Sequence, residues 1–135
     1  MKKWVRGAVL LAVAVLALGS CQKDKYAEAK KLMRDYIAMN NLLGKSMDEA
    51  DTGAEVAAAL KTFVAKAKVL GPQVEGLEDK YPELGDEENL PQDMKDLMAE
   101  VETSLEAMAG LFGKLMQYGD DPAVQEAMAE FQEME

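Results

Sequence analysis

Histidine is absent from this 135-residue chain and cysteine occurs once, at Cys21. Without an imidazole there is no Ser-His-Asp or Cys-His nucleophilic site. Histidine-containing zinc sites are excluded, and one thiol cannot build a thiolate cage. The Glu-x-x-His pairs of di-iron bundles cannot form either. No glycine-rich phosphate loop occurs: Gly110 and Gly113 lie in an apolar-periodic segment without the lysine and serine that a P-loop needs. Basic residues are also scarce, 15 against 25 acidic. Nucleic-acid phosphates demand clustered Lys and Arg, so nucleic acid is not an expected partner. Missing too is an apolar run long enough to span a bilayer. The longest, Ala8 to Leu18, has eleven residues, where a spanning helix needs about 20.

What is present begins with that run. Lys2, Lys3 and Arg6 precede it, and Leu18-Gly19-Ser20-Cys21 closes it, the three-part layout of a cleavable secretory signal. Residues 18–21 resemble the lipobox of bacterial lipoproteins. That resemblance implies diacylglyceryl attachment to the Cys21 sulfur, cleavage before it, and acylation, palmitate included, of the new N-terminus. Residues 1–20 then form the signal peptide, 21–25 a lipidated tether and 26–135 the folded domain. Two acyl chains suffice for stable anchoring, at about 0.8 kcal/mol per buried methylene. Gln22 stands where aspartate would retain an enterobacterial lipoprotein in the inner membrane. The expected location is the cell envelope, on the outer membrane's periplasmic face if the host is Gram-negative.

Charge is unevenly spread. The presequence holds three of the 15 basic residues, leaving 12 against 25 acidic. Lys23, Lys25, Lys30, Lys31 and Arg34 gather next to the anchor, where they would face anionic headgroups. The rest is strongly acidic, and Glu83 to Leu90 reads as an acidic loop presented to partners.

Beyond the anchor the pattern is helical. A first segment, about Asp24 to Leu43, carries Tyr26, Ala29, Met33, Tyr36 and Leu43 on one stripe, with Leu32, Ile37 and Met39 beside it. Asn40 is the polar exception on the stripe, and Gly44 reads as a C-terminal stop. Thr52 and Glu55 form a capping box. After it, Val56, Leu60, Phe63, Ala67, Leu70, Val74 and Leu77 keep a four-three seam through Gly71-Pro72, which predicts a kink rather than an end. Pro91 opens a third helix whose seam reads Met94, Met98, Val101, Leu105, Met108, Phe112 and Leu115. Gly119 reads as its cap. Asp121-Pro122 then restarts a short helix with Val124, Met128 and Phe131. The expected fold is an all-α antiparallel bundle, three long helices plus a short fourth.

From about Met39 to Met134 the sequence resembles cytochrome b562, a periplasmic four-helix haem protein. The likeness lies in Met39 on the first helix, the Glu49-Ala50-Asp51 turn and Val56-Ala57-Ala58-Ala59-Leu60. It continues in Leu77-Glu78-Asp79-Lys80 and in Pro91-Gln92-Asp93-Met94-Lys95-Asp96. The family ligates haem with a first-helix methionine and a histidine near the C-terminal end. With no histidine here, the resemblance implies the fold and not the cofactor.

Ten methionines raise one alternative. Met94 and Met98, one turn apart, could offer copper(I) two thioethers, or simply fill gaps in the seam. Uncovered methionines would also suit an apolar ligand or partner helix, because a short fourth helix leaves part of the seam bare. Asp86-Glu87-Glu88 lacks the spacing and glycine of an EF-hand and reads as a solvated turn. No carboxylate pair flanks a sugar cleft. The function expected is therefore a lipid-anchored, non-enzymatic binding or assembly module without a cofactor, held by acylated Cys21 and engaging a protein partner. A periplasmic carrier of copper(I) or an apolar ligand, and a purely structural envelope component, are the alternatives.

Overall fold

The computed structural model describes residues 24–134; Cys21 and the signal segment lie outside them. Within that range the chain is helical throughout, with no strand. Helix α1 spans Ala27–Glu49 and α2 spans Gly53–Lys80. Two 3-10 turns, Pro82–Gly85 and Glu87–Asn89, lead into α3, Gln92–Glu106. A third, Ala107–Ala109, joins α3 to α4, Gly110–Tyr118, and α5 covers Pro122–Gln132. Glu106, Ala107, Ala109 and Gly110 all keep right-handed helical angles, so α3 and α4 make one rod with a tightened turn in it. That rod is the third long helix of the expected bundle.

Cross-helix contacts fix the directions. Glu28 near the start of α1 meets Lys80 at the end of α2, so these two are antiparallel. Along α1, Lys30 meets Asp93, Asn40 meets Ser104, Gly44 meets Ala107 and Ala50 meets Lys114. The offset stays at 63 or 64 residues, so α1 runs parallel to the α3–α4 rod. Gly53 abuts Asp121, Lys61 reaches Glu126, and Phe63 stacks on Phe131 at 6.0 Å, so α2 and α5 are parallel. The result is an up-down-up-down bundle.

The local signals act as their chemistry requires. Glu55 N–H donates to Thr52 Oγ1 at 3.3 Å, and Glu55 Oε2 accepts from the backbone N–H of Thr52 at 3.1 Å and of Asp51 at 2.8 Å. Pro122 occupies the first turn of α5, where Asp121 accepts from Ala123 N–H at 2.9 Å. Helix α2 continues through Pro72, which forgoes one backbone hydrogen bond, as the unbroken seam had required.

Gly44 does not stop α1, which runs on to Glu49. It is the point of closest approach, where a Cβ would lie 2.9 Å from the Ala107 carbonyl oxygen. Gly119 does cap α4 as expected, though with right-handed angles. The third-helix seam is rotated by about one position. Its buried residues are Met94, Leu97, Ser104 and Leu111, while Leu105 is 47% and Phe112 71% exposed.

The core forms two clusters. One lies where all four rods meet, around Leu43, Met47, Val56, Leu60, Leu111 and Val124. The other lies at the opposite end, around Ala29, Leu32, Leu77, Tyr81, Leu90 and Met94. Full burial of a side chain such as Leu60 or Met94 contributes about 1.5–3 kcal/mol.

Candidate functional site

Helix α5 has 11 residues against the 28 of α2 and meets Phe63 near its own end. Among the described residues, the second half of α2 therefore has α1 beside it but no fourth helix. Met33 and Tyr36 of α1, Val74 and Leu77 of α2, and Met98, Val101 and Glu102 of α3 line a groove of about 390 Å³ at this vacant corner. Its wall is apolar apart from Glu102 and the tyrosine hydroxyl. The bare seam expected from the short last helix is thus a physical feature. Met98, Leu105, Phe112 and Met116 continue along the rod at steps of seven, seven and four residues, which keeps them on one edge. Phe112 is 71% and Met116 89% exposed.

The rim carries charge. Lys61, which pairs with Glu126 and Glu130 of α5, recurs by seven-residue steps at Lys68 and Glu75. Val64, buried on the same side, recurs at Gly71 and Glu78. Lys68, Glu75 and Glu78 are exposed. Across the groove stands Glu102, and a smaller cleft beside Met98 adds Glu87, Glu88 and Lys95. Among the described residues, Glu102 is thus the one charged residue of the groove wall, with Glu87, Glu88 and Lys95 in the adjoining cleft and Glu75, Glu78 and Lys68 on the exposed α2 flank by register.

At the end of the bundle where α1 begins, Lys25, Lys30 and Lys31 pair with carboxylates of the same chain, while Arg34 is exposed. Lys30 is only 8% exposed and bridges Asp24 and Asp93, which together raise its pKa above the usual lysine value. The same hydrogen bonds hold both carboxyl groups below theirs. Lys25 pairs with Glu83, and Lys31 with Asp35 at 2.8 Å. Tyr26 donates its hydroxyl to Glu83 Oε1 at 3.2 Å and packs on Tyr81, ring centres 5.7 Å apart. Burial, followed by Glu83, raises the Tyr26 pKa. Lys25 and Lys31 pair with carboxylates of the same chain yet keep side chains 67% and 75% exposed, and Arg34 is exposed, so of the described basic residues next to Cys21 only Lys30 is withdrawn from the surface. Glu83 is not a free loop residue, and Leu90 is core. Only Asp86, Glu87 and Glu88 of the 83–90 segment offer fully exposed carboxylates.

Other candidate residues fall as follows. Met94 is fully buried in the apolar cluster, whereas Met98 is half-buried at the groove wall, so the two have different surroundings. Met39, the position shared with the haem bundle, is 4% exposed and borders clefts lined by α1 and α2 alone. Among the described residues, no group of three or more Asp, Glu, His or Cys is arranged to hold a metal ion. No helix among them is long and apolar enough to cross a membrane. Sequence reasoning missed Ser104. Nothing in its spacing marked a serine as core, although Asn40 on the facing stripe announced that some buried polar partner was needed.

No protein-family model, curated protein or solved structure matches this chain.

Proposed function

We propose that this chain is a lipid-anchored protein of the bacterial cell envelope, sorted to the outer membrane where the host has one. Its bundle works as a binding and assembly module and not as an enzyme. The anchor reading rests on the Leu18-Gly19-Ser20-Cys21 edge after a non-spanning apolar run. The binding reading is carried by one observation, the open apolar groove walled by Met33, Tyr36, Val74, Leu77, Met98 and Val101. Concave apolar sites of roughly 300–1,000 Å³ with a few polar groups at the edge are the usual form of ligand and helix-binding sites. In this reading Met98 supplies adaptable apolar surface rather than a metal ligand.

The test places a photoreactive residue at Leu105, beside the groove, or at Glu49, at the far end of the bundle, in the lipidated protein in its own envelope. The module reading expects a discrete adduct from position 105 that is absent from position 49 and is lost on Val101→Asn. Equal labelling from both positions, or none from either, would sink it.

A further inference from the structure

Resting on that reading, we infer that the groove's occupant is a basic amphipathic helix of another protein, lying in line with α5 as the bundle's missing fourth rod. Length sets the first condition. The α2 stretch beyond Phe63 runs from Val64 to Leu77, both themselves buried, and a helix of about 14 residues, roughly 21 Å, would lie alongside it.

The apolar surface sets the second. Val74, Leu77, Met98 and Val101 offer one side of a helix-in-groove contact, and Leu105, seven residues on from Met98 and 47% exposed, lies on the same edge of the rod. An incoming helix with apolar residues at i, i+3, i+4 and i+7 presents the complementary stripe.

Charge sets the third, and it decides between occupants. Where α5 covers α2, the acidic residues Glu126 and Glu130 meet the basic Lys61. Further along the same strip the sign reverses. Glu102 lines the groove, Glu87, Glu88 and Lys95 line the adjoining cleft, and by helical register the exposed Glu75, Glu78 and Lys68 lie on the α2 flank next to Val74 and Leu77. A second copy of this chain, with 25 acidic residues against 15 basic, would bring like charge to that rim. An anionic lipid surface or a fatty-acid carboxylate would meet the same repulsion. A helix carrying Lys or Arg along its polar edges gains attraction and fast, salt-sensitive association.

The test uses the lipidated protein in phosphatidylcholine nanodiscs, with empty discs as the blank. Two 14-residue probe peptides share one leucine stripe and carry either lysine or glutamate on the polar face. Fluorescence anisotropy at low salt should show one lysine-faced peptide per protein, bound at least about tenfold more tightly than the glutamate-faced one, with the preference shrinking as salt rises. Carbodiimide coupling should join the peptide lysines to Glu75, Glu78 or Glu102. Glu75→Lys with Glu102→Lys should abolish the preference. Leu105→Asn, at a half-exposed position, should weaken the lysine peptide several-fold while helicity is unchanged. Charge reversal at the far end, Glu49→Lys with Asp120→Lys, should leave binding within about twofold. The inference is overturned if the two peptides bind alike, if neither binds, if coupling falls on carboxylates away from the groove, or if the remote reversal weakens binding as much as the groove reversal. It is also overturned if the glutamate-faced peptide, oleate or a second copy of the chain fills the groove better. Acylation of Cys21 is read separately by mass, so loss of peptide binding leaves the anchor reading standing.

Discussion

Asn40 of α1 donates its side-chain amide to Ser104 Oγ of α3 across 3.0 Å, and both residues are buried between the two apolar clusters. Ser104 in turn donates to the Val101 carbonyl at 2.7 Å. Asn40 Oδ1 has no hydrogen-bond partner among the described residues. A buried hydrogen bond contributes about 1 kcal/mol net, whereas an unsatisfied buried acceptor costs about 1–3 kcal/mol. The pair therefore does not owe its place to stability alone. It fixes which turn of α1 faces which turn of α3, as single buried asparagines fix register in coiled coils.

Ser104→Ala should leave Asn40 with an unpaired amide as well as its unpaired oxygen and destabilise the fold by about 1–3 kcal/mol. Asn40→Leu combined with Ser104→Ala removes both polar groups and should recover that loss or exceed it. Urea unfolding of the three proteins checks this. A double variant less stable than Ser104→Ala would mean that the polar pair is a net stabiliser.

Glycine substitutions separate close packing from mere helix weakness. Gly76 lies inside α2 with open space where a Cβ would go, so Gly76→Ala should stabilise by about 0.5–1 kcal/mol through helix propensity. At Gly44 the new methyl would sit 2.9 Å from the Ala107 carbonyl oxygen, and a backbone atom cannot swing aside. Gly44→Ala should therefore forfeit the propensity gain and destabilise by about 1–3 kcal/mol as α1 and the rod are pushed apart. Thermal unfolding should move in opposite directions for the two variants.

Acid should loosen the tether end first. Asp24 and Asp93 are held below their ordinary values by hydrogen bonds to Lys30, and Glu83 by Lys25. Groups depressed in the folded state bind more protons when unfolded, so their contribution is present above about pH 4 and is lost as pH falls through the folded values. Lys30 works in the other direction. Its raised value gives stability that is complete below its unfolded pKa, about 10.4, and is lost as pH rises through the folded one. Lys30→Met should flatten both limbs of the stability-pH curve. Unchanged limbs would show that the Lys30 pairs with Asp24 and Asp93 contribute nothing to folding.

These residues also show which parts of the fold were legible in the sequence. Local chemistry was: the Thr52–Glu55 box, Asp121-Pro122 and the α2 seam each announce themselves through their nearest neighbours. The face of α3 was not. Met98, Leu105 and Phe112 make a better apolar stripe on paper than Leu97, Ser104 and Leu111, because one core position is a serine. Only the partner Asn40, 64 residues away, makes that serine an interior residue. Gly44 misled for a similar reason, since a glycine at a helix crossing and one at a helix end look alike until the second helix is known. The basic cluster Lys23, Lys25, Lys30, Lys31 and Arg34 read as a free surface, though carboxylates distant in sequence engage two of its members, Glu83 with Lys25 and Asp93 with Lys30. The candidate groove was legible in outline, because a short last helix implies an uncovered stretch of its neighbours. Its acidic rim was not, since it assembles from α2, α3 and the turns between them.

The last prediction concerns the anchor. Cys21→Ser removes the only thiol in the chain, so thioether attachment of diacylglycerol becomes impossible. Mass spectrometry of the envelope-extracted protein should find wild-type material starting at an acylated Cys21, and the serine variant as an unacylated, unprocessed or misprocessed precursor. Each buried acyl methylene contributes about 0.8 kcal/mol, so two chains outweigh whatever a partly neutralised basic segment adds at the surface. Wild-type protein should accordingly stay with membranes in high salt. Lys25, Lys30 and Lys31 exchanged for glutamine should be retained equally, but should unfold at a lower temperature, because their partners Glu83, Asp24, Asp93 and Asp35 lose their counter-charges. Salt-sensitive release of that triple variant with unchanged melting would reverse the assignment and return the basic segment to the membrane surface.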